Sequence, residues 1–94
     1  MTTTIEINLK YNRFEYLFRT DNFIANRSFD TEGEIFQPLE QIVRENVSKQ
    51  ENITITNNPE YPLTKEDKKY FGEVLKQRLT DYILIFKPYP STSL

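Results

Sequence analysis

Residues 64–86, TKEDKKYFGEVLKQRLTDYILIF, decide how the rest of the chain is read. Thr64 stands three residues before Asp67, so its hydroxyl can accept from the Asp67 amide while the Asp67 carboxylate reaches back to the Thr64 amide, a variant of the capping box. Glu66 and Asp67 fall in the first turn of the helix so started, and Lys76 and Arg78 near its end, as the helix dipole favours. Tyr70, Phe71, Val74, Leu75 and Leu79 share one side of it, which predicts an amphipathic helix lying on a core. Gly72 in that helix costs about 1 kcal/mol relative to alanine, so a packing reason for it is expected. After Asp81 comes Tyr82-Ile83-Leu84-Ile85-Phe86, an apolar run without alternation. Such a run predicts a strand covered on both faces, hence one central in its sheet.

Upstream of the cap, Pro59 and Pro62 keep the connection extended. Ile53 and Ile55 alternate with Thr54 and Thr56, a short strand rich in β-branched residues. Residues 53–86 therefore read as strand, helix, strand, and a right-handed crossover would set the two strands parallel. Leu39, Ile42, Val43 and Val47 recur at helical spacing between Pro38 and about Lys49, with Pro38 suited to the first turn. At the other end, Ile5, Ile7, Leu9 and Tyr11 alternate with Glu6, Asn8 and Lys10, the pattern of a half-buried strand. A tight turn at Asn12-Arg13 then leads into RFEYLFR, residues 13–19. Here Phe14, Tyr16 and Phe18 share one face while Arg13, Glu15, Leu17 and Arg19 share the other. Residues 23–29 complete an antiparallel meander.

The order β-β-β-α-β-α-β predicts an α+β fold of two layers, a mixed sheet of about five strands with two helices on one face. Residues 1–87 form that single domain, and residues 88–94 an extended or disordered tail. A chain of 94 residues is long enough for one modest core.

Composition removes more functions than it offers. Histidine and cysteine are both absent, and with them the commonest general base, the usual zinc ligands and the thiol nucleophile. The two glycines, Gly33 and Gly72, are too far apart for a P-loop or a dinucleotide fingerprint. Asp30, Glu32 and Glu34 have the spacing of the first ligands of a calcium loop, but Ile35 stands where the glycine belongs and Gln41 where the final glutamate belongs. No catalytic residue, metal or cofactor is therefore expected, and the chain is read as a non-enzyme. The N-terminal MTTTIEINLK lacks the basic and apolar regions of a secretion signal. No apolar run approaches the ~20 residues of a membrane span. A cytoplasmic protein without membrane contact is the expectation.

The net charge of −2 and pI near 5.1 oppose broad attraction to nucleic acid. Charge is nonetheless uneven: residues 64–94 hold six bases against four acids, with Lys65, Lys68, Lys69 and Lys76 along one helix. The candidate interaction surface is thus Arg13, Leu17 and Arg19 on the second strand, with Lys65, Lys69 and Lys76 on the helix. The favoured reading is a small protein–protein interaction module, an accessory subunit, regulator or inhibitor, for which self-association is also compatible. The alternative is a nucleic-acid-associated protein that uses RFEYLFR and the lysine helix. That alternative needs Phe14, Tyr16 and Phe18 exposed for base stacking; the favoured reading packs them beneath the helices.

Overall fold

Alternation builds the first three elements. In the computed structural model, which describes residues 2–90, Thr3–Lys10 forms β1, Arg13–Arg19 β2 and Ile24–Phe29 β3. β1 pairs antiparallel with β2, Ile7 opposite Tyr16, and β2 antiparallel with β3, Phe18 opposite Ala25. The first hairpin turns at Tyr11 and Asn12, one residue earlier than the sequence indicates. Both residues take positive φ, 51° and 62°, the left-handed pair whose twist matches a two-residue hairpin. The shift lets Arg13 enter the strand opposite Lys10.

A 3-10 turn at Gly33–Ile35 runs into α1, Phe36–Asn46. The helix starts two residues before Pro38, which still lies in the first turn, where its missing N–H has no intrahelical partner to lose. It ends three residues short of Lys49. Val47 leaves in an extended conformation with its amide on the Val43 carbonyl, and buries its own side chain.

β4 is Asn52–Thr56, α2 is Lys65–Arg78 and β5 is Ile83–Phe86. Thr64 caps α2 as predicted: its hydroxyl accepts from the Asp67 amide at 3.0 Å. The return bond from the Thr64 amide is not made. Aspartate is one methylene shorter than the glutamate that closes a full capping box, and the Asp67 carboxyl interacts with Glu32 instead.

The five strands lie in the order β3-β2-β1-β4-β5, with β4 parallel to both β1 and β5. The sheet is mixed and both helices lie on one face, an α+β fold. One expectation fails here: β5, the most apolar strand, is an edge strand and not a central one. Ile83 is 52% exposed and Phe86 44%. The centre belongs to β1, whose alternating pattern looked half-buried. An apolar run records how many side chains find cover, and cover at a sheet edge can come from one helix and a crossing loop as well as from flanking strands.

The core fills the space between sheet and helices. Ile5, Ile7, Tyr16, Phe18 and Ile53 from the strands meet Phe36, Leu39 and Val43 of α1 and Phe71 and Leu75 of α2. Phe36 and Phe71 lie 5.5 Å apart between ring centroids, and Phe14 and Phe71 5.8 Å, the tilted geometry aromatic pairs prefer. Charge closes one end of the helix layer. Arg78 bridges to Glu40 at 3.0 Å, while Arg44 reaches Glu40 at 3.1 Å and Asp81 at 2.7 Å. Arg44 also donates to the Arg78 carbonyl at 3.0 Å, satisfying a free carbonyl at the end of α2. Residues 88–90 carry no regular structure, and the rest of the expected tail, 91–94, lies outside the described residues.

Candidate interaction surface

The strand period of two puts every second residue on the face away from the helices. Pairing registers align these residues in rows: Ile24, Arg19, Thr4, Thr54 and Ile85 in one, Asn26, Leu17, Glu6 and Thr56 in the next, then Ser28, Glu15 and Asn8. Among the described residues no helix covers this open face.

Asn8 is its anchor. Although it points away from the helices, it is only 1% exposed, because the loop between β4 and α2 folds over it. Its Nδ2 donates to Glu6 Oε2 at 2.7 Å and to Glu15 Oε1 at 3.3 Å. Its Oδ1 accepts from Asn57 Nδ2 at 3.1 Å and from the Asn58 amide at 2.9 Å. Asn57 Nδ2 also reaches the Ile7 and Tyr61 carbonyls, and its Oδ1 accepts from the Leu63 amide. Asn26 holds the other oxygen of Glu15 at 2.8 Å. A buried amide so fully satisfied fixes the loop to β1, since leaving its partners unpaired would cost far more than each bond contributes.

The candidate residues divide between two layers. Arg13, Leu17 and Arg19 share the open face, as their alternation predicts. Arg13 is engaged within the chain, donating to Asp30 at 2.7 Å and to the Ser28 carbonyl at 3.3 Å. Arg19 makes no ion pair among the described residues. It lines a groove of about 440 Å³ together with Leu17, Glu6, Thr56, Tyr89 and Pro90. Lys65, Lys69 and Lys76 lie on α2, on the opposite layer, with Lys76 Nζ 5.2 Å from the centre of the Phe86 ring. No single flat surface includes both sets. Tyr16 and Phe18 are buried under the helices and Phe14 packs on Phe71, so the aromatic side of β2 is core. Burial accordingly raises the Tyr16 hydroxyl above its ordinary pKa, against a smaller opposing effect of Arg27.

Alternation alone did not expose the apolar members of the open face. Ile24 is 61% exposed, and Ile83 and Ile85 join it on this face through the register of β5 with β4. The period-two reading of IANRSF was the signal available for Ile24; for the isoleucines of β5 there was none.

Among the described residues no group of three or more acidic side chains is placed to hold a metal ion, and no helix is long and apolar enough to cross a membrane. Comparison with known proteins finds no matching family model and no matching curated protein.

Proposed function

We propose that this chain is a small non-enzymatic binding module of the cytoplasm, an accessory subunit, regulator or inhibitor that engages another protein through the open face of its sheet. One observation carries the reading: among the described residues the helices cover only one side of the five-stranded sheet, and the other side, partly covered by the loop over Asn8 and by Tyr89 and Pro90, carries Ile24 and Ile83 more than half exposed. Leu17 on β2 and Ile85 on β5 share that face, and Arg19, beside Leu17, makes no ion pair among the described residues. Isolated exposed apolar residues need no explanation, but several on one flat face favour a partner. The absence of histidine and cysteine supports the non-enzymatic part.

The test is affinity capture with three tagged forms: wild type, a folded Leu17→Lys/Ile24→Lys variant, and Lys65→Ala/Lys69→Ala. The module reading expects one protein recovered in stoichiometric amount by the wild type and the lysine variant, and lost from the open-face variant. Recovery that is abolished by nuclease, or that survives in the open-face variant, overturns it. Sedimentation of the purified protein adds the homodimer outcome, which also has to vanish with Leu17→Lys/Ile24→Lys.

A further inference from the structure

A second surface lies on the helix side, where α2 meets the edge of the sheet formed by β4 and β5. The packing there is incomplete, and a cleft of about 340 Å³ remains. Its walls are Ile55, Leu63, Phe71 and Phe86, with Gly72 at the helix side. A Cβ on Gly72 would meet the Phe86 ring at 3.6 Å, an ordinary contact. The glycine therefore does not relieve a clash; its effect is to keep this part of the cleft unfilled. Lys76, one turn on, lies over the Phe86 ring at 5.2 Å.

The charged residues of the lining are Lys68 and Lys87, and no acid accompanies them. Neither lysine makes an ion pair among the described residues. Both also line the adjoining groove beside Pro59, Pro62 and Tyr89, so they stand where the apolar cleft opens to water. The amide side chain in the wall, Asn57, is committed to the Asn8 network. In a protein of net charge −2, this is a corner where two cations border an apolar cavity with no acid beside them among the described residues.

We propose that the cleft binds a small amphiphilic carboxylate, with its apolar body against Phe71 and Phe86 and its anionic head at Lys68 and Lys87. Volume selects the size, because small-molecule sites span about 300–1,000 Å³ and this one is at the lower end. The apolar wall supplies the drive to leave water. Next to that wall a carboxylate interacts with the lysines more strongly than it would in bulk solvent. A neutral ligand of equal length gains only the first of these.

Decanoate and decanol separate the two contributions, followed by amide chemical-shift mapping. Decanoate should give saturable shifts centred on Phe71, Gly72 and Lys87. Lys68→Glu/Lys87→Glu should weaken decanoate by about tenfold or more, equivalent to ~1.4 kcal/mol, with decanol changed by less than about threefold. Gly72→Leu, which fills the cleft, should abolish both, with circular dichroism to establish that the variant is folded. If it is not, the charge-reversal pair decides alone, since both lysines are exposed. The proposal is overturned by an absence of saturable shifts, by shifts centred on the open face, by wild-type affinity for decanol equal to that for decanoate, or by unchanged decanoate affinity in the charge-reversed variant.

Discussion

The two faces of this sheet are made from alternating residues of the same strands, yet they are stabilised by different physics. Against the helices lie Ile5, Ile7, Phe18 and Ile53, all buried among other apolar side chains; their contribution is burial of hydrocarbon and close packing. On the open face the most buried side chain is Asn8, and it is held by hydrogen bonds to Glu6, Glu15, Asn57 and Asn58. The helix side tolerates only the right volume, whereas the open side tolerates only the right partners. Substitutions should therefore fail for different reasons on the two faces.

The largest effect belongs to the helix face. Leu75→Ala should destabilise by about 2–5 kcal/mol in urea unfolding, from lost transfer energy and the cavity left behind. Ile85→Ala on the open face should cost well under half as much. Equal losses at the two positions would mean that Ile85 is covered in solution, and a sedimentation experiment would then show whether a second copy covers it.

Next comes the polar anchor. Asn8→Ala removes the acceptor of the Asn57 side chain and the Asn58 amide and should cost about 1–3 kcal/mol. Its signature is local: amide hydrogen exchange should speed up through residues 57–63 before the rest of the domain opens. Uniform acceleration would assign Asn8 to the core at large and erase the contrast between the faces.

Gly72→Ala probes the cleft beside α2, where the helix layer is underpacked. Alanine is the better helix former by about 1 kcal/mol, and its Cβ meets Phe86 at 3.6 Å without crowding. The melting temperature should rise. A fall would show that the helix and β5 cannot accommodate even a methyl group.

The smallest effect concerns pH. Glu32 is pushed up to about 7 from its ordinary 4.5, chiefly by burial and then by the neighbouring Asp67 carboxyl. The protonated form is favoured in the fold, so this contribution is complete below about pH 4.5 and is lost as pH rises toward 7. Glu32 is only half-buried, so solvent moderates the effect. Glu40 and Asp81, held below the usual carboxylate range by hydrogen bonds from Arg78 and Arg44, act in the opposite direction and lose their contribution as pH falls. Glu32→Gln should flatten the stability profile between about pH 4.5 and 7 and melt above wild type near pH 8. An unchanged profile would remove the Glu32–Asp67 pair from the account of pH dependence.

Most of the local structure was legible in the residues. The alternation of Ile5, Ile7 and Leu9 marked β1, that of Phe14, Tyr16 and Phe18 put the three aromatics on one face of β2, and Thr64 started α2 where it does. These features are decided within a few residues, by side-chain period, β-branching and a cap that reaches one turn ahead. Leu17 and Arg19 were placed on one surface by the same period. What needed the tertiary structure was everything decided between distant segments. Placing β1 centrally and β5 at the edge depends on which strands pair, and an apolar run does not name its neighbours. The buried role of Asn8 depends on Asn57, 49 residues away, so its sequence context shows only an ordinary polar position in an alternating strand. The separation of Arg13, Leu17 and Arg19 from the lysines of α2 follows from the sheet standing between them. The cleft at Gly72 exists only because a short last strand returns beside β4 and brings Phe86 and Lys87 to α2. The sequence set the pieces by local chemistry; their neighbours were set by how burial and hydrogen bonding could be satisfied for all of them at once.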